Sequence, residues 1–355
     1  MKVFYPALRP LLFRIDPERA VRLAISGLKL APLSPRGAND PILASTVAGI
    51  GFPNPIGLAA GFDKNAEVPM QAAGLGFGFV EVGSLTPRPQ VGNPLPRVFR
   101  LKDDEAIINR MGFPNEGIEK GVKRLRRMRF SHGSARTGVN VGANKDSEDR
   151  IADYEACITL AAPVADYLTV NISSPNTPGL RELQSKDALH ELLSRCLIAR
   201  EHREVPLFVK VAPDLTDRDI ADIAEVVQET GVDGIICTNT TVSRAPDLRS
   251  SASSETGGLS GPPLREMALA VLKAFRQATG GRIPLVGVGG IASADDAYER
   301  IRAGASLVQL YTALVYEGPS LPKDMAEGLA DHLRADGFSS VADAVGADAP
   351  KVAAP

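Results

Sequence analysis

With 355 residues, 44% of them hydrophobic and 23% charged, the chain has material for a soluble globular protein with an ample core, as one large domain with an appendage or as two domains of usual size. A formal net charge of −2 gives no reason to expect nucleic acid as a partner. The cysteines Cys157, Cys196 and Cys237 have no metal-type spacing, which indicates no metal site and points to reduced thiols.

The first element is an N-terminal extension over residues 1–40. Within residues 1–36, Lys2, Arg9, Arg14, Arg19, Arg22, Lys29 and Arg36 face only Asp16 and Glu18, a local charge of +5 in a chain of net −2. Asp16-Pro17-Glu18 reads as a helix start, with a capping side chain, a proline at the first helical position and an acid in the first turn. Val3, Phe4, Leu8, Leu11 and Leu12, then Ala20, Val21, Leu23, Ala24 and Leu28, predict two short amphipathic helices, neither long enough to span a bilayer. Basic flanks on apolar faces fit a helix pair lying in a membrane interface. The competing reading is a pair that only packs on the rest of the protein. No Arg- and Ser-rich transit segment is present, so the expected location is the cytoplasmic side of a bacterial cell membrane, as a peripheral protein.

Residues 41–340 carry aliphatic, glycine-punctuated runs at 55–61, 78–84, 137–144, 167–173, 206–213, 234–240, 284–290 and 306–312. Between them lie helical patterns over Ile151–Ala162, Asp187–Glu201, Thr216–Thr230, Pro263–Thr279 and Ser293–Ala303, several closed by glycine. Strands alternating with helices predict a parallel sheet, and eight such units predict an α/β fold of the closed (β/α)8 barrel type, with an open doubly wound sheet as the alternative. A barrel places function at the C-terminal ends of its strands. Polar residues collect there: Lys64 after the first run, Ser84 at the end of the second, then Asn140, Asn171, Lys210, and Thr238 with Asn239 and Thr240. A lysine inside LFVKVAP is costly to bury unless it meets an anion.

The fourth run, YLTVNISSPNTPGLREL over 167–183, sets Leu168, Val170 and Ile172 on one side and Thr169 and Asn171 on the other. Pro175, Pro178 and Gly179 deny it a helix and hold an exposed loop around Ser174. In isolation such a loop is as often a plain turn as a site. GVGGIAS at 287–293, ahead of a helix that Ser293 can cap, and the amides of Tyr311 and Thr312 suggest a cradle for a mononucleotide phosphate. Residues 341–355, rich in Ala and Pro, read as a poorly ordered tail.

The ordered set of motifs GLAAGFDKN (57–65), EVGSLTPRPQ (81–90), INRMGF (108–113), NISSPNTPGLR (171–181), KVAPDL (210–215), TNTT (238–241), GGLSGPPL (257–264), GVGGI (287–291) and SLVQLYT (306–312) resembles the quinone-dependent, membrane-associated dihydroorotate dehydrogenases. The resemblance implies oxidation of dihydroorotate to orotate in pyrimidine biosynthesis, with one FMN per chain and a membrane quinone as acceptor. It implies Ser174 as the catalytic base and Lys64, Asn109, Asn171, Asn176, Asn239 and Thr240 as substrate ligands. The substrate carboxylate would take Lys64 or the backbone amides of Arg110, Met111, Gly112 and Phe113. The implied FMN set is Ala60, Gly61, Phe62, Asp63, Lys64, Ser84, Asn140, Asn171, Lys210, Thr238, Gly261, Gly290, Tyr311 and Thr312, and Arg100 would line the quinone tunnel. Pro114 departs from the pattern, because the family usually continues with an amide there, so a different backbone path is expected for that loop. Two other readings stay open: the same flavin chemistry on another reduced pyrimidine, and a non-catalytic phosphate-ligand module at the membrane.

Overall fold

All eight glycine-punctuated runs become strands of one closed parallel barrel. They are β1 (Ile56–Leu58), β2 (Phe79–Leu85), β3 (Arg136–Val141), β4 (Tyr167–Asn171), β5 (Leu207–Val211), β6 (Gly234–Cys237), β7 (Leu285–Val288) and β8 (Leu307–Leu310), each paired with its neighbours in sequence and β8 returning to β1. The computed structural model describes residues 4–31, 40–131, 136–177, 179–200 and 204–350. Lys2, Val3, Arg36, Pro178, Glu201 and residues 351–355 lie outside them.

Alternation along the strands separates two cores. Leu168, Val170, Leu207, Val209, Ile235 and Val308 face outward and pack under the helices. Phe79, Tyr167, Phe208, Ile236, Val286 and Leu307 fill the barrel interior. The large rings fit because neighbouring strands offer glycine: a Cβ at Gly57 would stand 2.2 Å from the Phe79 ring, and one at Gly138 2.1 Å from that of Tyr167. A hairpin of Ser45–Val47 with Ile50–Phe52 closes the lower end, and the Phe52 ring meets that of Phe79 edge-on at 5.2 Å. Phe52→Ala removes a fully buried ring and should cost about 3–5 kcal/mol. Chemical unfolding checks this, and a loss below about 1 kcal/mol would mean that the barrel is closed without the hairpin.

The predicted helices form with small shifts at their ends: Arg150–Ala161, Lys186–Ala199, Asp217–Thr230, Arg265–Ala278 and Ala294–Arg302. The Asp217–Thr230 helix starts on a capping box in which the Thr216 side chain and Asp219 bond each other's backbone N–H. Ile118–Ser131, not anticipated, is a further helix, buried through Ile118, Val122 and Leu125. A small antiparallel sheet of Val98–Leu101, Ala106–Asn109 and Gly258–Ser260 stands at the upper end of the barrel and carries Asn109 on its middle strand.

The expectation of a poorly ordered tail from 341 does not hold for its first residues. Val341–Ala344 is a helical turn capped by Ser340, with Val341 and Ala344 fully buried and the Asp348 carboxylate paired with Arg302. Two apolar side chains three residues apart suffice to dock it.

The extension folds into two helices, α1 (Phe4–Leu12) and α2 (Pro17–Leu30), and Asp16 caps the second by accepting from the Arg19 N–H at 3.0 Å. They pack on the barrel and keep an apolar face outward as well. The Tyr5 hydroxyl donates to Val315 O at 2.6 Å, and Val21, Ile25 and Leu28 lean on the core, while Leu8, Leu11, Leu23 and Leu30 are more than half exposed. Among the described residues, no helix is long and apolar enough to cross a membrane.

Candidate active site

A cavity of about 1170 Å³ runs from the C-terminal mouth of the barrel to the space between α1 and α2. A pocket for one small molecule is usually about 300–1,000 Å³, so this one has room for ligands in sequence along its length.

Its floor is a closed net of amides and hydroxyls at the strand ends. Asn171 Nδ2 donates to Ser84 Oγ at 2.9 Å and to Asn140 Oδ1 at 3.2 Å, Ser84 itself donates to Asn140, and Asn239 Nδ2 donates to Ser173 Oγ at 3.0 Å. Ser84, Asn171, Thr238, Asn239 and Thr240 line the cavity, whereas Asn140 lies one layer beneath it. Asn140 thus supports the floor rather than forming it, because its own amide is held from below by Glu81 at 2.8 Å. Glu81 is fully buried and also accepts from Gln309 at 2.9 Å, Tyr167 at 3.0 Å and Thr169 at 3.2 Å. Lys210 lines the cavity, and its ammonium has no hydrogen bond to the protein among the described residues. Burial lowers its pKa, and the Glu81 charge works against that shift.

One flank carries Ser174, Asn176, Asn109 and Lys64. Asn176 Nδ2 donates to Asn109 Oδ1 at 3.3 Å, and the Asn176 backbone N–H donates to Ser174 Oγ at 3.3 Å. Beside them Met111, Gly112 and Phe113 line the cavity, and their backbone N–H groups have no protein acceptor among the described residues, an arrangement suited to an anion. Lys64 is anchored to Gly61 O at 2.5 Å, and burial brings its pKa down to about 8. Pro114 leaves this loop well tied: Asn115 Nδ2 donates to Thr86 Oγ1 at 2.8 Å, and Asn115 exchanges backbone bonds with Gln90 at 3.0 Å.

Two residues expected in the site are directed elsewhere. Arg110 pairs with Glu255 at 2.6 Å, lies over the Phe99 ring, and gives its backbone N–H to Arg97 O at 2.9 Å, so neither its side chain nor its amide faces the cavity. Asp63 is fully buried and accepts from the backbone N–H groups of Glu67 and Val68, both at 2.8 Å, which makes it the brace of the loop after β1.

At the opposite end Gly261, Gly289, Gly290, Tyr311 and Thr312 line the wall with Ala60, Gly61 and Phe62. Behind the glycines lies Arg300, absent from the sequence reading. It donates to Gly289 O at 3.0 Å and to Arg265 O at 2.5 Å, and its Nε and Nη1 are buried without partners. Burial brings its pKa down to about 10, and it still leaves a positive charge behind the glycine turn. Arg181 is a second omission: it joins Ser173 O, Thr240 O and Asp214, tying together the loops after β4 and β6. The end of the NISSPNTPGLR motif was the signal for it. Toward the extension, Arg100 donates to Ile15 O at 2.8 Å and stands 4.8 Å over the Phe13 ring, lining the passage between helices and barrel.

The cavity thus joins a polar floor at the strand ends, a glycine wall backed by a buried arginine and an apolar end between two helices. The family model for dihydroorotate dehydrogenase matches residues 42–333, and the chain belongs to that family. It is 57% identical to dihydroorotate dehydrogenase (quinone) of Novosphingobium aromaticivorans, over 97% of this chain and 99% of that protein. It is 56% identical to the protein so named in Erythrobacter litoralis, over 98% of this chain and all of that one. A crystal structure of the Eimeria tenella enzyme in complex with ferulenol matches with a TM-score of 0.91 at 40% identity, covering 95% of this chain and 98% of that one.

Proposed function

We propose that the chain oxidises (S)-dihydroorotate to orotate in pyrimidine biosynthesis, with FMN as its flavin and a membrane quinone as the final acceptor. The observation that carries this reading is the convergence, on one cavity, of Ser174, the Asn109–Asn176 pair, the Lys64 ammonium and three free amides at Met111, Gly112 and Phe113. The acidic and alternating polar edge of an orotate ring needs those groups: amides for its carbonyl and N–H pattern, and a cation with free N–H groups for its carboxylate.

The residues present fit a flavin mononucleotide. Lys210 offers a buried ammonium without a protein hydrogen bond at the floor, and the Gly289–Gly290 turn, with Arg300 behind it and two of that guanidinium's nitrogens unpartnered, offers a positive environment for a phosphate. When bound, the flavin supplies the hydride acceptor that no side chain can provide. Ser84, Asn171 and Thr238 would hold its ring, and Gly261, Gly290, Tyr311 and Thr312 would hold its phosphate end. Ser174 takes the proton from substrate carbon, and the amides of Asn109, Asn171, Asn176 and Asn239 hold the ring in place for that transfer. Arg100 lines the quinone passage. The outward leucines of α1 and α2 and the extension's basic charge suit a peripheral seat on the cytoplasmic face of the cell membrane.

An anaerobic absorbance experiment tests the reading. Dihydroorotate should bleach the flavin bands of the purified protein, and a short-chain quinone should restore them. A yellow protein that dihydroorotate leaves unbleached would overturn the substrate, and bleaching by dihydrouracil instead would favour another reduced pyrimidine. A protein that takes up no flavin would favour a binding module.

A further inference from the structure

One ion pair stands between the extension and the substrate flank. Arg97 grips Glu18, in the first turn of α2, through both ends of its fork, Nε to Oε2 at 2.9 Å and Nη2 to Oε1 at 2.6 Å, and both side chains are largely buried. A bidentate, shielded pair of this kind is directional in a way that an exposed one is not. The remaining guanidinium nitrogen, Nη1, holds the chain just before it, donating to Val91 O at 2.6 Å and Asn93 O at 2.9 Å.

That loop is in turn fastened to both substrate loops. The Asn93 N–H donates to Met111 O at 2.9 Å, and its Nδ2 donates to Arg110 O at 3.0 Å and Asn176 O at 3.2 Å. The Arg97 carbonyl accepts from the Arg110 N–H at 2.9 Å. The fit is close, since a Cβ at Gly92 would stand 2.4 Å from Met111 O. The carbonyls of residues 110 and 111 are thereby turned toward the loop, and across the planar trans peptides the N–H groups of Met111 and Gly112 point away from it, in residues that line the cavity.

We propose that Glu18 and Arg97 act as positioning residues through which the seating of α2 sets the geometry of the substrate loops, so that the N-terminal extension governs affinity for the substrate as well as access for the quinone. The proposal rests on the functional reading above. The pair also acts on Lys64 through its charge. After burial, the groups that bear on that ammonium are Glu18 and Asp63, which favour its charged form, and Arg97 and Arg22, which oppose it.

The test is orotate binding to the flavin-loaded full chain, read from the flavin absorbance change, together with KM for a short-chain quinone. Glu18→Gln should weaken orotate at least about fivefold, the lower end of ordinary site-to-site coupling. Because the Lys64 charge is present below about 8 and lost above it, orotate binding falls as pH rises through that value. In Glu18→Gln the midpoint of that fall should move to lower pH, and in Arg97→Gln to higher pH. Simple loosening of the loop would not move the two in opposite directions. Asn93→Ser removes the two side-chain bonds to Arg110 and Asn176 with α2 still seated, and should weaken orotate while quinone KM stays at its original value. Orotate affinity within twofold of the parent in both Glu18→Gln and Asn93→Ser overturns the proposal, whatever happens to quinone KM. Absence of orotate binding by the parent protein would instead overturn the functional reading on which the proposal stands.

Discussion

Replacing Ser174 by alanine should leave the protein yellow and slow flavin reduction by dihydroorotate about 10²- to 10⁴-fold, the usual contribution of a positioned base. The lining of the cavity leaves little else to take the proton. Among the described residues it includes neither histidine nor aspartate, and its glutamates, Glu18, Glu67 and Glu116, are engaged by Arg97, Lys29 and Arg124. A carboxylate held by a cation is a weak base. Ser174 is nearly buried, and its oxygen accepts the Asn176 N–H, a contact that favours the negative charge developing as the hydroxyl proton leaves. Reduction should therefore speed up with rising pH in the parent protein, and Ser174→Cys, with its more acidic thiol, should recover part of the rate lost in the alanine variant. Anaerobic stopped-flow absorbance measures all three. Reduction of Ser174→Ala within about threefold of the parent rate would remove Ser174 from the chemistry.

The barrel was legible because each strand is short and aliphatic, most are bounded by glycine, and polar residues fall at one end of most runs. The same reading put Lys64, Ser84, Asn171, Lys210 and the Thr238–Thr240 segment on one cavity. It misplaced Arg110 and Asp63 for a common reason: both belong to motifs that border the site, and a motif does not say which of its members turn inward. Asp63 serves the backbone of its own loop, and Arg110 finds Glu255, a partner far away in sequence. The antiparallel sheet was hidden for the same cause, since Asn109 pairs with Gly258 and neither segment alternates strongly enough to announce a strand. The Ile118–Ser131 helix was in principle readable from Ile118, Val122 and Leu125 at helical spacing, but its run of basic residues obscures that narrow stripe. Glu18–Arg97 and Glu81 could not be read at all, because a charge in a sequence does not reveal whether it ends in water or in a buried pair.

A substitution at Glu81 should lower stability and weaken the site together. Its carboxylate is fully buried and takes donors from Asn140, Tyr167, Thr169 and Gln309, and its charge supports the buried ammonium of Lys210. Glu81→Gln keeps the shape, but it removes the counter-charge of Lys210 and turns an amide N–H₂ toward groups that were donating. Leaving buried donors without an acceptor costs about 1–3 kcal/mol for each group lost, so a loss of about 3 kcal/mol is expected, which in a chain of this size should lower Tm by roughly 4 °C. The variant should also lose rigidity at the floor, because Asn140 holds both Ser84 and Asn171 and is itself held by Glu81. Flavin should then bind more weakly without any change in a residue that lines the cavity. The double variant Glu81→Gln/Lys210→Met separates charge balance from hydrogen bonding: with no cation left unpaired, its loss of stability should be smaller than the sum of the two single losses. Strict additivity would mean that Glu81 acts only through its hydrogen bonds, and an unchanged Tm in Glu81→Gln would mean that the carboxylate carries no charge the fold depends on.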